Sequence, residues 1–173
     1  MARLPFPSSW RSVVAVPDAL PGVSGADEDA AFDRLPAPST GDVERVAHLV
    51  LMALLPAVAD ADIDAFGAAL TEIQEMTGRW FAPVQGGTFA PGQSEALVRR
   101  MREWGAPGVG QSSWGPAVYG VVAGEAAGAR LADQVRGMSD HACRVYEGAF
   151  PTHGARVWRA LSQESEAGRE PTG

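Results

Sequence analysis

The sequence contains no lysine and no asparagine, and Cys143 is its single cysteine. Without lysine the chain has no Schiff-base lysine, no lysine of a phosphate-binding P-loop and no strand lysine of the protein-kinase type. A single cysteine excludes a disulfide framework within the chain and a thiolate metal cage. The three histidines are not spaced as a paired-histidine metal motif.

Positive charge is also scarce. The chain has 14 basic residues, all arginine, against 21 Asp and Glu, which gives a net charge of −7. This balance and the lack of a basic run argue against a nucleic-acid partner. The longest apolar run, residues 46–58, is interrupted by His48 and Pro56 and is shorter than the roughly 20 residues of a membrane span. We expect a cytoplasmic protein that binds neither nucleic acid nor membrane.

The length of 173 residues, of which 46% are apolar, suits one domain. We expect this domain to cover residues 1–162 and a polar tail to cover 163–173. Periodicity and capping signals predict helices at 24–35, 41–59, 94–104 and 124–138, and a further helix that begins at Asp60 or Asp62 and runs to residue 80. They predict strands at 11–17, 117–122, 143–146 and 155–158. Because the elements do not alternate regularly, the pattern favours an α+β fold with helices on one face of a small antiparallel sheet.

The segment 105–116 is the densest in glycine. Its glycines are Gly105, Gly108, Gly110 and Gly115. They permit positive φ and the close approach of a ligand, and Ser112 and Ser113 add two hydroxyls. Successive backbone N–H groups in such a turn form a concave anion site, so the pattern suits phosphate or pyrophosphate. A tight structural connection between a helix and a strand explains the same glycines equally well.

Three further side chains accompany the glycine segment. Gln74 and Gln85 could hold a polar ligand through hydrogen bonds, although glutamines in such positions are also common on the surface. Trp114, inside the glycine segment, either fills the core or stacks on a planar ligand.

Four stretches of the chain together resemble a known family. They are Ser8-Ser-Trp-Arg-Ser-Val-Val-Ala-Val-Pro17, Glu72-Ile-Gln-Glu-Met-Thr-Gly-Arg-Trp-Phe81, Val84-Gln-Gly-Gly87 and Gly105-Ala-Pro-Gly-Val-Gly-Gln-Ser-Ser-Trp-Gly-Pro116. They resemble the C-terminal half of the β-ribofuranosylaminobenzene 5′-phosphate synthase family, within the GHMP kinase superfamily. The resemblance covers about residues 6–161, and the glycine segment is similar to the third, C-terminal motif of the superfamily.

The resemblance implies a fold and a reaction. The fold is the ferredoxin-like C-terminal domain of the superfamily. The reaction joins 5-phosphoribosyl pyrophosphate to 4-aminobenzoate or 4-hydroxybenzoate and releases pyrophosphate and carbon dioxide, in the pathway to methanopterin. Mg²⁺ is expected with the pyrophosphate, on ligands that the sequence does not identify.

The expected substrate and phosphate contacts follow from the same segments. They are Gly108, Gly110, Gln111, Ser112, Ser113, Trp114, Gly115, Gln74 and Gln85. Among them, Gln85 and Gln111 would orient substrate. Arg79 could add positive charge if it turned inward, and is otherwise a solvated arginine at a helix end.

One departure from the family pattern affects the functional hypothesis. The sequence has no Gly/Ser-rich phosphate loop of the type Pro-x-x-x-Gly-Leu-Gly-Ser-Ser, which superfamily members carry in an N-terminal domain. We therefore expect activity only with a separate N-terminal half, because both sides of a cleft must position two substrates. We also expect the face left by the absent domain to be apolar enough to drive association, either as a homo-oligomer or with a partner. The alternatives are a non-catalytic module that binds a phosphorylated metabolite or a partner, and a small-molecule kinase of the superfamily.

Overall fold

The structure is a computed structural model and describes residues 4–18, 25–138, 143–154 and 157–158. Its strands are β1 (Trp10–Pro17), β2 (Gly108–Gln111), β3 (Val118–Ala123) and β4 (Cys143–Ala149). Its α-helices are α1 (Ala26–Phe32), α2 (Thr40–Leu49), α3 (Leu55–Asp60), α4 (Ile63–Gln85), α5 (Gln93–Glu103) and α6 (Glu125–Met138). A π-helical segment, Val50–Leu54, joins α2 to α3.

The strands form one antiparallel sheet in the order β2-β3-β1-β4. Residue Val13 on β1 lies opposite Gly120 on β3 and Glu147 on β4. With a helical segment between β1 and β2 and α6 between β3 and β4, this is the ferredoxin-like β-α-β-β-α-β arrangement. The predicted α+β fold with a small antiparallel sheet is confirmed.

The helices are divided between the two faces of the sheet. Helices α5 and α6 cover one face, where Leu97, Met101 and Leu131 pack against Val13 and Val122. On the opposite face, Trp10 and Val121 meet Ala57, Val58 and Phe66 from α3 and α4. The prediction of helices on one face therefore describes α5 and α6, while α3 and α4 reach the other face at one end.

Two helix starts follow from their capping residues. The Ser39 side chain accepts a hydrogen bond from the backbone N–H of Asp42 at 3.1 Å, and α2 begins at the next residue. The carboxylate of Asp62 accepts from the N–H groups of Asp64 and Ala65 at the start of α4. These contacts satisfy donors that have no partner inside the helix.

Other boundaries differ from the prediction. The single helix expected over 41–59 is divided, because Pro56 has no N–H to donate to the preceding turn and the π-helical segment lies directly before it. In the predicted last strand, Val157 and Trp158 are exposed and not in a strand, while residues 155–156 lie outside the described part. Ser24 and the predicted tail, 163–173, also lie outside it. Among the helices that the structure describes, none combines the length and the apolar character needed to cross a bilayer.

Candidate functional site

Part of the glycine segment is a strand and not a loop. Residues 108–111 form β2, which pairs with β3 so that Gly110 lies opposite Tyr119. Gly105 and Gly115 have positive φ angles, at 89° and 76°, whereas Gly108 and Gly110 do not. The expected turn geometry is present at Gly105 and Gly115, but the expectation was wrong at Gly108 and Gly110, which meet a need for close packing and not for left-handed backbone.

The close packing comes from α4, which lies along the outer edge of β2. Gly67, Thr71 and Gln74 recur every three or four residues and share one face of the helix. The Thr71 hydroxyl accepts from the N–H of Val109 at 3.1 Å, and Oε1 of Gln74 accepts from the N–H of Gln111 at 3.1 Å. A Cβ on Gly67 would overlap the backbone of Pro107. Helix α4 therefore covers a strand edge that would otherwise be open to pairing.

The N–H groups of Val109 and Gln111 are bonded to side chains of α4 and are not available to a ligand. The predicted anion site is therefore limited to the turn that follows β2. The N–H of Ser112 donates to the carbonyl of Ala117, and that of Gly115 donates to the carbonyl of Ser112, both at 2.9 Å. In the part of the chain that the structure describes, the N–H groups of Ser113 and Trp114 and the hydroxyls of Ser112 and Ser113 have no hydrogen-bond partner. Ser113 has a φ of 48°, which is the left-handed geometry typical of anion-binding turns.

The three glutamines predicted as ligand contacts come together. The side-chain nitrogen of Gln111 donates to Oε1 of Gln85 at 2.8 Å and to the carbonyl of Ser113 at 2.9 Å, while its oxygen accepts from the N–H of Ala90 at 2.6 Å. The Gln85 amide donates to the carbonyls of Gly87 and Thr88. Both amides are thus used within the protein, where they fix the loop after α4 against the turn after β2.

Trp114 fills the core. Its side chain is 4% exposed and meets the rings of Phe32 and Phe81 edge to face. Its indole N–H donates to a carboxylate oxygen of Glu28 at 3.1 Å. The sequence left open whether Trp114 fills the core or stacks on a planar ligand, and in the structure it is buried in the core. There it links α1 and α4 to the turn. Its role in ligand binding stays a prediction.

Arg79 is exposed and lies away from the glutamines. It lines a surface groove of about 400 Å³ with Arg99 and Arg102, and Arg102 pairs with Glu75 at 3.0 Å. Thr88 and Phe89 form a shared wall between this groove and a cavity of about 80 Å³ beside the glutamines. The inward position considered for Arg79 is therefore not present.

A larger cavity of about 560 Å³ lies on the other side of Gln74 and Gln111, between α4 and the sheet. Tyr119 lines it, and burial raises the pKa of its hydroxyl to about 12. The sequence analysis did not single out Tyr119. The predicted strand over 117–122 was the available signal, since successive side chains of a strand point to opposite faces and this puts Tyr119 on the face opposite Val118.

Metal ligands are not grouped in the described ranges. No set of three or more His, Cys, Asp or Glu side chains there could hold a metal ion together.

Comparison with known proteins finds one family model and two curated relatives that match this sequence. The family described as GHMP kinases C terminal matches residues 54–140. A β-ribofuranosylphenol 5′-phosphate synthase from Methanothermobacter thermautotrophicus is 38% identical over 121 residues, which is 70% of this chain and 36% of that protein. Another from Archaeoglobus fulgidus is 38% identical over 128 residues, or 74% of this chain and 37% of that protein. The chain spans about a third of the length of these relatives.

Solved structures agree on the fold. Homoserine kinase from Cytophaga hutchinsonii superposes with a TM-score of 0.55 at 17% identity, over 88% of this chain and 45% of that one. Mevalonate kinase from L. major, in complex with R-mevalonate, gives 0.52 at 14% identity over 88% of this chain and 46% of that one. Identities this low support the fold alone. The family match over residues 54–140 covers half of this sequence, and the chain therefore belongs to the GHMP kinase C-terminal family.

Proposed function

We propose that the chain is the C-terminal part of a synthase that transfers a phosphoribosyl group from 5-phosphoribosyl pyrophosphate to 4-aminobenzoate or 4-hydroxybenzoate. The observation that carries this proposal is the 38% identity to two β-ribofuranosylphenol 5′-phosphate synthases over most of this chain. The name of those relatives describes a ribosyl phosphate attached to a phenol ring. Because 5-phosphoribosyl pyrophosphate is a phosphorylated metabolite, we propose a cytoplasmic reaction, on the route to methanopterin.

The reaction forms one bond and breaks two. A carbon–carbon bond forms between the anomeric carbon of the ribose and the ring carbon that carries the carboxylate. The bond from the anomeric carbon to pyrophosphate breaks, and pyrophosphate leaves with that electron pair. The carboxylate then leaves as carbon dioxide, and its bonding electrons restore the aromatic ring. Negative charge therefore develops on pyrophosphate, and donors placed there would lower the barrier.

This chain offers such donors in the turn after β2. The N–H groups of Ser113 and Trp114 and the hydroxyls of Ser112 and Ser113 have no partner in the described part of the chain. The network of Gln85 and Gln111 fixes the turn, because Gln111 binds the carbonyl of Ser113 at 2.9 Å. We assign pyrophosphate oxygens to these four donors, and to Gln85 and Gln111 the positioning of the turn.

The remaining groups of the site would come from elsewhere. About two-thirds of each curated relative has no counterpart in this chain, which matches 36% and 37% of them. We propose that this other part completes the cleft. Mg²⁺ would arrive with the pyrophosphate and would neutralise part of its charge.

The test is reconstitution. The chain is mixed with the N-terminal part of the M. thermautotrophicus relative, and pyrophosphate release from 5-phosphoribosyl pyrophosphate is measured with either benzoate. We expect release only in the mixture. Ser113→Ala should reduce kcat/KM about three- to tenfold through loss of one hydrogen bond, whereas Ser8→Ala, at an exposed position outside the turn, should not.

Three outcomes would contradict the proposal. Turnover by the chain alone would remove the need for a partner. Production of ADP from ATP in place of pyrophosphate release would favour a small-molecule kinase. Binding of phosphoribosyl pyrophosphate by the mixture with no turnover would favour a non-catalytic module.

A further inference from the structure

The cavity of about 560 Å³ between α4 and the sheet, which we call the aryl cleft, has a distinctive lining. Its walls are largely aromatic or aliphatic and include Phe6, Phe66, Leu70, Tyr119, Val121 and Phe150. None of the described residues that line it carries a formal charge. Its volume lies within the range of small-molecule sites, which are mostly apolar with a few placed polar groups.

The polar groups of the aryl cleft gather near Gly110. A Cβ built on Gly110 would lie 2.5 Å from Oη of Tyr119 and 2.6 Å from Cγ of Gln74. The absence of a side chain at Gly110 therefore lets the Tyr119 hydroxyl and the Gln74 side chain approach to within about 5 Å of each other. One region of an otherwise apolar cavity thus holds a hydroxyl and an amide.

These polar groups have spare hydrogen-bonding capacity. Oε1 of Gln74 accepts from the N–H of Gln111, but its Nε2 has no partner in the described part of the chain. The same holds for the hydroxyl of Tyr119. Burial raises the pKa of Tyr119 to about 12, so its hydroxyl stays protonated and able to donate near neutral pH. A ligand with one polar substituent could bind both groups.

We propose that the aryl cleft binds a planar aromatic ring through its apolar walls, with a hydroxyl or amino substituent of the ring at Tyr119 and Gln74. The choice of ligand rests on the proposed function, whose acceptors are hydroxy- and aminobenzoates. The lining has no cation to compensate a carboxylate, and a buried unpaired charge is strongly unfavourable. In the para isomers the carboxylate lies at the opposite end of the ring, so it and the reacting carbon would face the mouth of the cleft.

Binding to the full chain alone tests this proposal without any turnover. The probes are phenol, aniline and benzoate, added separately to isotope-labelled protein and followed by NMR. We expect phenol and aniline to shift the side-chain amide signal of Gln74, and benzoate to bind more weakly because of its charge. Equal binding of benzoate and phenol would overturn the assignment of the substituent to the polar end.

The two tyrosines provide a matched pair of variants. Tyr119→Phe removes only the hydroxyl and should weaken phenol binding about three- to tenfold, as expected for one hydrogen bond. Tyr146→Phe makes the same change on β4, outside the lining of the cleft, and should leave the affinity for phenol unchanged. Equal effects of the two variants, or no phenol binding by the wild type, would overturn the proposal.

Addition of the N-terminal part of a relative separates this proposal from the proposed function. If the aryl cleft is a substrate site, phenol still binds in the mixture and inhibits pyrophosphate release in competition with the benzoate. If a polypeptide covers the cleft instead, the mixture no longer binds phenol and the proposal fails, even where the mixture turns over. If the mixture binds phenol but releases no pyrophosphate, the proposal for the aryl cleft stands and the proposed transferase activity is contradicted.

Discussion

The side-chain nitrogen of Gln111 lies 2.8 Å from Oε1 of Gln85, so two glutamines from different parts of the chain bind each other directly. The Gln111 side chain also accepts from the N–H of Ala90 and donates to the carbonyl of Ser113. Gln111 is 7% exposed, so these groups have little access to water. Its amide is therefore a structural link between two loops.

Replacing Gln111 by leucine should destabilise the fold. The variant leaves the N–H of Ala90 and the oxygens of Gln85 and Ser113 without their partner, and such a loss costs about 1–3 kcal/mol of unfolding free energy. Urea denaturation measures it. The control is Gln134→Leu on the exposed side of α6, where we expect almost no change. If both variants unfold at the same urea concentration, the network contributes nothing.

Two glycines should differ in their tolerance of alanine. At Gly110 the new Cβ would meet the Tyr119 and Gln74 side chains, which can shift, so we expect about 1–3 kcal/mol of destabilisation. At Gly67 it would overlap the backbone of Pro107, which cannot shift without moving the strand, so the loss should be larger. Gly137→Ala, with open space around it in α6, should be neutral or stabilising by up to about 1 kcal/mol. Melting temperatures of the three variants should therefore be lowest for Gly67→Ala, higher for Gly110→Ala and highest for Gly137→Ala. The reverse order would contradict the close packing of α4 on β2.

The Tyr119 hydroxyl should titrate at high pH. In the Tyr146→Phe variant it is the only phenol left, and its phenolate absorbance should have a midpoint of about 12 instead of the usual value near 10. Because the pKa is raised in the folded state, the associated stability is present below pH 10 or so and is lost as the pH rises toward 12. Circular dichroism at each pH establishes that the fold persists. A midpoint near 10 in folded protein would mean that Tyr119 is exposed to water.

The ion pair between β1 and β4 should make stability depend on acid pH. Nε of Arg11 lies 2.6 Å from Oε1 of Glu147, and this contact holds the pKa of Glu147 below its usual range. The pair therefore stabilises the fold above the unfolded glutamate pKa of about 4.3 and loses this effect as the pH falls through the lower folded pKa.

Glu147→Gln should thus lower the melting temperature near neutral pH, and the difference from wild type should vanish in acid. The control is Glu103→Gln, which breaks an ion pair with Arg100. The side chains of Arg100 and Glu103 are about half exposed, at 49% and 47%. Such exposed pairs contribute little. A Glu147→Gln deficit that stays constant into acid would show that the charge of Glu147 is not its cause.

Sequence patterns located most elements because their signals are local. The prediction of a strand over 11–17 matches β1 within one residue at its start, and the helix over 124–138 matches α6 equally well. The predicted helix that ends at residue 80 corresponds to the first part of α4, in which Phe66 and Met76 are each 4% exposed. In each case the residues that carry the pattern lie within a few turns or pleats of one another.

The missed strand β2 has a different cause. Glycine is frequent both where the backbone needs positive φ and where another element comes very close, and the sequence does not separate these two uses. At Gly108 and Gly110 the reason is contact with α4 and with Tyr119, and the α4 residues lie some 35 to 40 positions earlier in the sequence. The three glutamines do lie together, but their mutual binding depends on the same long-range contacts, and their role in ligand binding stays a prediction.

The hydrogen bond from the N–H of Val109 to the Thr71 hydroxyl, at 3.1 Å, offers the most direct test of how α4 protects the edge of β2. Thr71→Val keeps the shape of the side chain but removes the acceptor and leaves a buried N–H unpaired. We expect a loss of about 1–3 kcal/mol in unfolding free energy and faster hydrogen exchange at Val109. Thr77→Val on the same helix, at a half-buried threonine with no hydrogen-bond partner in the described part of the chain, is the matched control and should change neither. Slow exchange at Val109 in the Thr71→Val variant would mean that packing of α4, and not this hydrogen bond, protects the strand.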